Sequence, residues 1–179
     1  MKKEVPISKA YHLINTGCVL LITSAHEDKK NVMTLAWQTP VSVKPVLVGI
    51  AVSKSHFTTQ LIKGSREFTI NIPGAELLEK VKKCGMFSGR EVDKFREANL
   101  TPVSGKNVKV PLIDECIGHI ECKVVNEHIT GDHVFFVGEV IAAYAREDLF
   151  ISTSWAEDAS LLHHLGGKTY YTNGKIYTT

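Results

Sequence analysis

The chain has 179 residues, of which 44% are hydrophobic and 22% are charged. These proportions are typical of a water-soluble globular protein with one sizeable core, so we expect a single domain over residues 1–179. The net charge is only +2, which argues against nucleic acid or an anionic membrane as a partner. The longest apolar run, Val46–Val52, is far shorter than the roughly 18 residues that cross a bilayer. With no secretion signal in the sequence, we expect a cytoplasmic protein.

The cysteines give no sign of a metal site or a disulfide. Cys18, Cys84, Cys116 and Cys122 form no CxxC pair and lack zinc or iron-sulfur spacing. Cys116 and Cys122 are nearest in sequence, but within one strand they would lie roughly 20 Å apart. We therefore predict reduced, mostly buried thiols and no metal.

The first half of the chain predicts a short helix followed by strands. The helix is expected around Ala10–Asn15. A buried strand over Val19–Thr23 is predicted to turn through a charged loop, residues 26–30, into the segment Asn31–Trp37. The run Val46–Val52 lacks polar alternation, which predicts a central strand buried on both faces.

A helix is predicted directly after this central strand. Ser55 is a good N-cap for a helix over His56–Lys63, and Gly64 can end it in the left-handed conformation. The alternating segment Glu67–Ile72 predicts a strand. Spacing and turn residues predict the later elements: a helix through Leu77, Leu78 and Val81 that stops at Gly85, a helical piece over Val92–Ala98, a long hairpin whose second strand is Val134–Tyr144, and a last hairpin of Thr169–Thr172 and Lys175–Tyr177 around Asn173-Gly174.

The order of these elements excludes a doubly wound sheet. Many short strands with few short helices, and no regular βαβ alternation, predict a mainly β protein built as an antiparallel barrel with helical decoration. The chain contains no GxGxxG, GxxxxGK[ST], GxSxG or HExxH motif, which excludes the functions that those motifs carry.

Two segments of the first half carry groups suited to ligand binding. In Asn31–Trp37, Thr34 can bind a polar ligand edge and Trp37 can form a flat wall, although both Met33 and Trp37 also suit an ordinary core. In Ser53–Thr59, hydroxyl groups, a lysine and a histidine meet the N-terminus of a predicted helix. This arrangement suits a phosphate or another anion, and the alternative is an ordinary capping sequence.

Three later segments are weaker candidates. The loop Cys84–Phe95 combines glycines with Ser88, and Arg90 or Lys94 could reach a phosphate, unless the segment is simply a solvated loop. His133 follows Gly131-Asp132 and could position or protonate a substrate, or the three residues could only form a turn. Of His163 and His164, one could line a pocket, whereas a metal shared by the two neighbours is not expected.

Taken in order, these segments resemble the flavin reductase-like family of FMN-binding split-barrel proteins, the group that includes flavoredoxin. The likeness extends from about Pro6 to Tyr171. It rests on the following residues: Asn31-Val32-Met33-Thr34 with Trp37 and Ser42; Ser53-Lys54-Ser55-His56 with Thr58; Asn71-Ile72-Pro73; Ser88-Gly89-Arg90 with Asp93-Lys94-Phe95; Gly131-Asp132-His133 with Gly138-Glu139-Val140; and Leu165-Gly166-Gly167 with Tyr170.

The resemblance implies a mainly β fold with short helices, a six-stranded antiparallel Greek-key split β-barrel of the FMN-binding type, and a homodimer with FMN near its interface. It assigns Met33–Trp37 to the isoalloxazine, Ser53–Thr59 to the ribityl chain and phosphate, and Lys94 to the phosphate. His133 becomes the catalytic candidate, on the nicotinamide side. The implied cofactor-binding residues are Asn31, Met33, Thr34, Leu35, Ala36, Trp37, Ser53, Lys54, Ser55, His56, Thr58, Thr59, Gly85, Ser88, Gly89 and Lys94.

The implied activity is hydride transfer from NAD(P)H to FMN, with electrons passed on to free flavin, a ferric chelate or a protein. One alternative is a flavoredoxin-like FMN electron carrier that a redox protein partner reduces, with little NAD(P)H activity. Another is a binding module without enzymatic activity. The choice between NADH and NADPH stays open.

Overall fold

The computed structural model describes residues 5–15, 17–172 and 174. Within these residues the strands are β1 (Leu20–His26), β2 (Lys29–Leu35), β3 (Gln38–Ser42), β4 (Leu47–Ser53), β5 (Glu67–Ile72), β6 (Pro102–Val103), β7 (Leu112–Ile113), β8 (Gly118–Thr130), β9 (His133–Ala145), β10 (Phe150–Ile151), β11 (Ser154–Trp155), β12 (Leu162–Gly166) and β13 (Thr169–Thr172). The α-helices are α1 (Phe57–Ser65), α2 (Leu78–Met86) and α3 (Lys94–Glu97), and 3₁₀ helices cover Ile7–Leu13, Ala75–Leu77 and Glu157–Ala159. In this part of the chain no helix combines the length and the hydropathy that a bilayer crossing requires.

Seven strands form one antiparallel sheet in the order β2-β1-β5-β8-β9-β4-β3. Side chains from six of these strands share a single buried cluster, so the sheet curls around its own core. The two edge strands, β2 and β3, are consecutive in the chain and joined only through Ala36 and Trp37, which leaves the barrel split there. This confirms the predicted mainly β split barrel, with seven strands where six were expected. The edge strand β3 contains Pro40, a residue that an edge strand tolerates because no neighbour needs its N–H.

Strand β1 is buried on both faces. Leu20 and Ile22 point into the barrel core, while Leu21, with Val19 just before the strand, packs on the outer layer formed by α2 and α3. The prediction of two-sided burial for the run Val46–Val52 is only partly right. In β4, Ile50 and Val52 are core residues, but Val46, just before the strand, is exposed.

Gly49 on the outer face of β4 has a packing reason. A Cβ at this position would collide with the ring of Phe135 on the neighbouring strand β9. The aromatic side chain therefore covers the strand only because position 49 has no side chain.

Helix α1 departs from its prediction at both ends. It begins at Phe57, His56 occupies the N-cap position, and no side chain caps it; the prediction of Ser55 as N-cap is wrong, because its hydroxyl bonds Ser53 Oγ at 3.0 Å instead. Nor does Gly64 end the helix. Arg66 takes the left-handed conformation at φ 59°, and its backbone amide donates to the Ile62 carbonyl at 2.8 Å.

Several other predictions are confirmed, with small shifts at the ends. Strand β5 has the predicted bounds, and β8 and β9 form the long hairpin, which turns at Gly131 with φ 59°. Helix α2 ends one residue after Gly85, at Met86. Helix α3 begins only at Lys94, because the Asp93 carboxylate accepts hydrogen bonds from the Phe95 and Arg96 amides and caps the helix there.

The two ends of the chain differ from their predictions. A 3₁₀ helix over Ile7–Leu13 replaces the helix expected around Ala10–Asn15. Thr169–Thr172 is a strand, as predicted, but it pairs with β12. Its predicted partner, Lys175–Tyr177, lies outside the described residues.

All four cysteines are free thiols, as expected, and only Cys18 is less than fully buried.

A buried carboxylate on β8 holds a long loop against the sheet. Glu121 accepts hydrogen bonds from the backbone amides of Lys106 (3.0 Å), Asn107 (2.6 Å) and Val108 (2.9 Å) and from the Tyr144 hydroxyl (3.0 Å). Burial acts to raise the pKa of Glu121, but these hydrogen bonds outweigh it and hold the pKa below its usual value. The ionised form therefore stabilises the fold.

We expect Glu121→Gln to lower the free energy of unfolding by about 2–4 kcal/mol, because an amide cannot accept all four bonds. Since the folded-state pKa is lowered, this stabilisation is complete above the unfolded pKa of about 4.3 and is lost as the pH falls through the folded value. Urea unfolding from pH 7 to pH 3 measures both effects. Glu79→Gln, which removes an exposed ion pair with Lys82 from a side chain that is 77% exposed, should lower it by less than about 1 kcal/mol; equal losses in the two variants would contradict the prediction.

Candidate functional site

Two adjoining cavities lie where β2, the start of α1 and the loop after α2 meet. The first, which we call the loop cavity, has a volume of about 280 Å³ and the second, the aromatic cavity, about 220 Å³. Met33, Thr34 and His56 line both, so the two share a wall, and we call them together the cleft. The loop cavity is further lined by Asn31, Ser55, Phe57, Thr58, Cys84, Gly85, Met86, Phe87, Ser88, Gly89, Arg90 and Lys94. The aromatic cavity is further lined by Asn15, Val19, Leu35, Ala36, Trp37, Ala51, Ser53, His133, His164 and Tyr170.

The N-terminus of α1 opens into the loop cavity. The first amides of a helix have no partner within it and carry partial positive charge, and here no side chain caps them. Thr59 fixes the turn before the helix by donating its hydroxyl proton to the Ser53 carbonyl at 2.7 Å. Arg90 lies over the Phe57 ring and donates to the Ser55 carbonyl at 2.8 Å. The helix end and Arg90 thus flank the same opening.

Basic groups dominate the electrostatics of the loop cavity. Burial lowers the pKa of Lys94, whose ammonium donates to the Cys84 carbonyl at 2.7 Å. Burial also lowers the pKa of His56, and the neighbouring basic groups Lys94, His133 and Arg90 lower it further. The lining contains no Asp or Glu side chain among the described residues. An anion is therefore the ligand that this cavity accommodates most readily.

Asn31 and Gly89 form the inner wall of the loop cavity. Asn31 donates from Nδ2 to the Thr58 hydroxyl at 2.9 Å, while its Oδ1 is buried and has no hydrogen-bond partner within the described ranges. A Cβ on Gly89 would collide with this Oδ1, so only glycine lets the loop pass here. The site thus contains a buried acceptor that needs a donor from a ligand or water.

Two rings meet at the wall of the aromatic cavity. Trp37 is 38% exposed, and its ring centroid lies 4.8 Å from that of His133 in a tilted arrangement, at an angle of 31°. The Tyr11 ring meets Trp37 edge-on, with centroids 5.6 Å apart. His133 Nδ1 lies 2.7 Å from the Asp132 carboxylate, and this hydrogen bond lowers the pKa of Asp132. A planar ring system is the ligand shape that such walls favour.

The cleft brings together most of the residues proposed from the sequence. Only Lys54 and Thr59 of the predicted set lie outside both cavities: Lys54 is exposed, its amide bonded to the Asp132 carbonyl at 3.0 Å. The predicted residues that line the cleft are Asn31, Met33, Thr34, Leu35, Ala36, Trp37, Ser53, Ser55, His56, Thr58, Gly85, Ser88, Gly89, Lys94 and His133. No cluster of His, Cys, Asp or Glu that could hold a metal ion occurs in the part of the chain that the structure describes.

Sequence reasoning missed several lining residues. Asn15 follows the first 3₁₀ helix as an isolated polar residue, and no local pattern marks it as part of a site. Phe87 and Ala51 are apolar, and only the tertiary fold brings them to the cleft. His164 could be foreseen only as one of two adjacent histidines; the structure selects it over His163, which stacks on Tyr171.

The chain is similar to a known protein family and to individual proteins from several organisms. The family described as "Flavin reductase like domain" matches residues 12–173. An uncharacterized protein of Archaeoglobus fulgidus is 47% identical over 141 residues, which cover 79% of this chain and 78% of the relative. A ferric-chelate reductase (NAD(P)H) of the same organism is 26% identical over 146 residues, which cover 81% of this chain and 85% of the relative.

Two solved structures are similar over the whole chain. Flavoredoxin from Methanosarcina acetivorans matches with a TM-score of 0.84 and 29% identity, covering 100% of this chain and 92% of its own. An FMN-binding protein from Thermus thermophilus matches with a TM-score of 0.84 and 24% identity, covering 100% and 97%, and this likeness concerns the fold alone. The family match over most of the chain confirms the resemblance drawn from the ordered motifs: this chain belongs to the flavin reductase-like family.

Proposed function

We propose that the cleft binds FMN, with the phosphate in the loop cavity and the isoalloxazine in the aromatic cavity. We further propose that the protein is an oxidoreductase that uses NAD(P)H. The observation that carries this proposal is the junction of an uncapped helix N-terminus, flanked by Arg90 and Lys94, with a cavity walled by Trp37. The chemistry that FMN supplies when bound is acceptance of a hydride from a nicotinamide and release of electrons to an acceptor.

The polar groups of the cleft fit the parts of FMN in order. Ser55, Ser88, Arg90 and Lys94 offer hydrogen-bond donors and positive charge for a phosphate. The unpartnered Oδ1 of Asn31 needs a donor, which a ribityl hydroxyl provides and a phosphate oxygen does not. The lining residues therefore match an anionic group, a chain of hydroxyls and a flat ring.

The protein side chains bind, orient and exclude water. Trp37 and Met33 provide apolar surface for the ring. His133, held by Asp132 and tilted against the Trp37 ring, orients a nicotinamide beside that ring. The similarity to a ferric-chelate reductase (NAD(P)H) supports the nicotinamide donor.

We also propose a cytoplasmic location. The four free thiols fit that reducing compartment.

A second candidate function is that of a flavoredoxin-like electron carrier. The likeness to flavoredoxin at 29% identity favours it, as does the exposure of Trp37 at the mouth of the cleft, where a redox protein partner could approach. The two candidates differ in their electron donor. A carrier that a protein reduces reacts poorly with NAD(P)H.

We also propose a homodimer that places the cleft near its interface. The first 3₁₀ helix has no buried residue, and Ile7 and Ile14 are 94% and 84% exposed. Tyr11 in the same helix contacts Trp37 at the aromatic cavity. A second copy that covers this helix would remove its apolar side chains from water.

FMN should bind at least about 100-fold more tightly than riboflavin, because riboflavin lacks the phosphate and each charge-assisted hydrogen bond contributes about 1.5–3 kcal/mol. Lys94→Met should weaken FMN binding at least about tenfold and reduce this discrimination. Fluorescence titration measures both. Lys83→Met is the matched control, since Lys83 also faces a backbone carbonyl but is exposed outside the cleft; equal affinities for the two flavins would disprove the phosphate assignment.

His133→Ala should slow anaerobic reduction of the bound flavin by NADH or NADPH about 10- to 100-fold, with FMN still bound, because the nicotinamide loses its positioning group. Stopped-flow absorbance at the flavin bands measures the rate. His128→Ala, an exposed histidine on β8, should react at the wild-type rate. If the wild-type flavin retains its colour with both nucleotides, the electron-carrier candidate replaces the reductase.

The purified protein should sediment as a dimer at micromolar concentration. Ile14→Asp should shift it toward the monomer, because a charge would then be buried in the interface. Sedimentation velocity, with and without FMN, distinguishes the two states. A wild-type monomer in both conditions would contradict the dimer.

A further inference from the structure

Asn15 lines the aromatic cavity and carries an unpaired acceptor. The residue lies between the first 3₁₀ helix and β1 and is only 9% exposed. It lines the cavity together with Trp37, His133 and Tyr170. Its Oδ1 is buried and has no hydrogen-bond partner in the described part of the chain. A buried amide oxygen of this kind is rare unless a ligand or a water satisfies it.

A chain of hydrogen bonds fixes the orientation of this amide. The Gly167 carbonyl can only accept, so His164 Nε2, 3.1 Å away, must carry the ring proton. His164 Nδ1 then has a lone pair, and Asn15, at 3.1 Å, must donate to it from Nδ2. The Asn15 oxygen is therefore the atom left free.

His164 itself is firmly placed. Its backbone amide donates to the Gly17 carbonyl at 3.2 Å, and its ring packs on Tyr170 with centroids 5.3 Å apart. Gly167 adopts φ +56°, a conformation that suits glycine and aims its carbonyl at the imidazole. The β12–β13 turn thereby sets the hydrogen-bonding character of the cavity.

We propose that Asn15 Oδ1 accepts a hydrogen bond from the imide N3–H of the isoalloxazine and makes the site selective for flavins that carry this proton. The inference rests on the proposed FMN function. The oxidised ring has a single N–H, at N3, so only this atom of the ring can satisfy the acceptor. His164 and Gly167 act as positioning residues for Asn15. The carboxamide of a nicotinamide offers the same donor chemistry, and the experiment separates the two sources.

The test compares equilibrium binding of FMN and N3-methyl-FMN, which lacks the donor, by fluorescence titration. Wild-type protein should bind FMN at least about tenfold more tightly, as expected when a buried acceptor loses its partner. In Asn15→Leu, which has similar volume and no acceptor, the ratio of the two affinities should approach one. In Asn15→Asp, which keeps an acceptor, the preference for FMN should persist. Thermal unfolding of each apo-variant verifies that it is folded.

The positioning role has its own readout. His164→Phe should lower the ratio, because the Asn15 amide is then free to rotate. His163→Phe, on the same strand but outside the cleft, should keep the wild-type ratio.

Three results would overturn the proposal. The first is equal binding of the two flavins by wild-type protein. The second is an undiminished ratio in Asn15→Leu with an unchanged affinity for NADH, which would mean that another wall excludes the methyl group. The third is an unchanged ratio with a weakened affinity for NADH in Asn15→Leu, which would assign the acceptor to the nicotinamide. Failure of wild-type protein to bind any flavin would instead disprove the proposed function.

Discussion

The two-sided burial of β1 is the constraint on which the site depends. One face of the strand closes the barrel core through Leu20 and Ile22, and the other supports the layer of α2 and α3 through Leu21. Because β2 pairs with β1 along its whole length, Asn31 and Thr34 are held between barrel and helices. Thr34 then donates to the Val81 carbonyl at 2.6 Å and ties β2 to α2. The cleft is therefore a gap between two packed layers, and its width follows from how the layers pack.

The cleft concentrates positively charged groups, which favour an anionic ligand. The same groups leave the protein without a ligand less stable than a capped helix would. An uncapped helix, a buried ammonium and a guanidinium share one opening, and nearby positive charge adds to burial in lowering the pKa of His56. A side-chain cap or a carboxylate would stabilise the empty protein and would also compete with a phosphate for the same amides. The hydroxyls of Ser53 and Ser55 bond each other, which leaves the helix end open to a ligand.

Local patterns predicted the elements whose signals are short in range. β5, the β1–β2 hairpin and the β8–β9 hairpin follow from alternation and turn residues. The ends of α1 could not be foreseen. The Ser55 hydroxyl bonds Ser53 and does not cap the helix, and a non-glycine residue, Arg66, takes the left-handed conformation at its end. The residues that line the cleft were proposed mostly through the ordered family motifs. Asn15 was not predicted, because its side chain is oriented by a hydrogen bond to His164, which lies 149 positions along the chain.

The split between β2 and β3 leaves each of these two strands at an edge of the sheet. Exposed edges can recruit strands from other molecules and start aggregation. On β3, Pro40 removes one donor, and the register shifts between Pro40 and Ser42, so the strand offers a poor template for another chain. At the β3 side of the split, the proline and the register shift therefore act against edge-to-edge pairing and the aggregation that can follow from it.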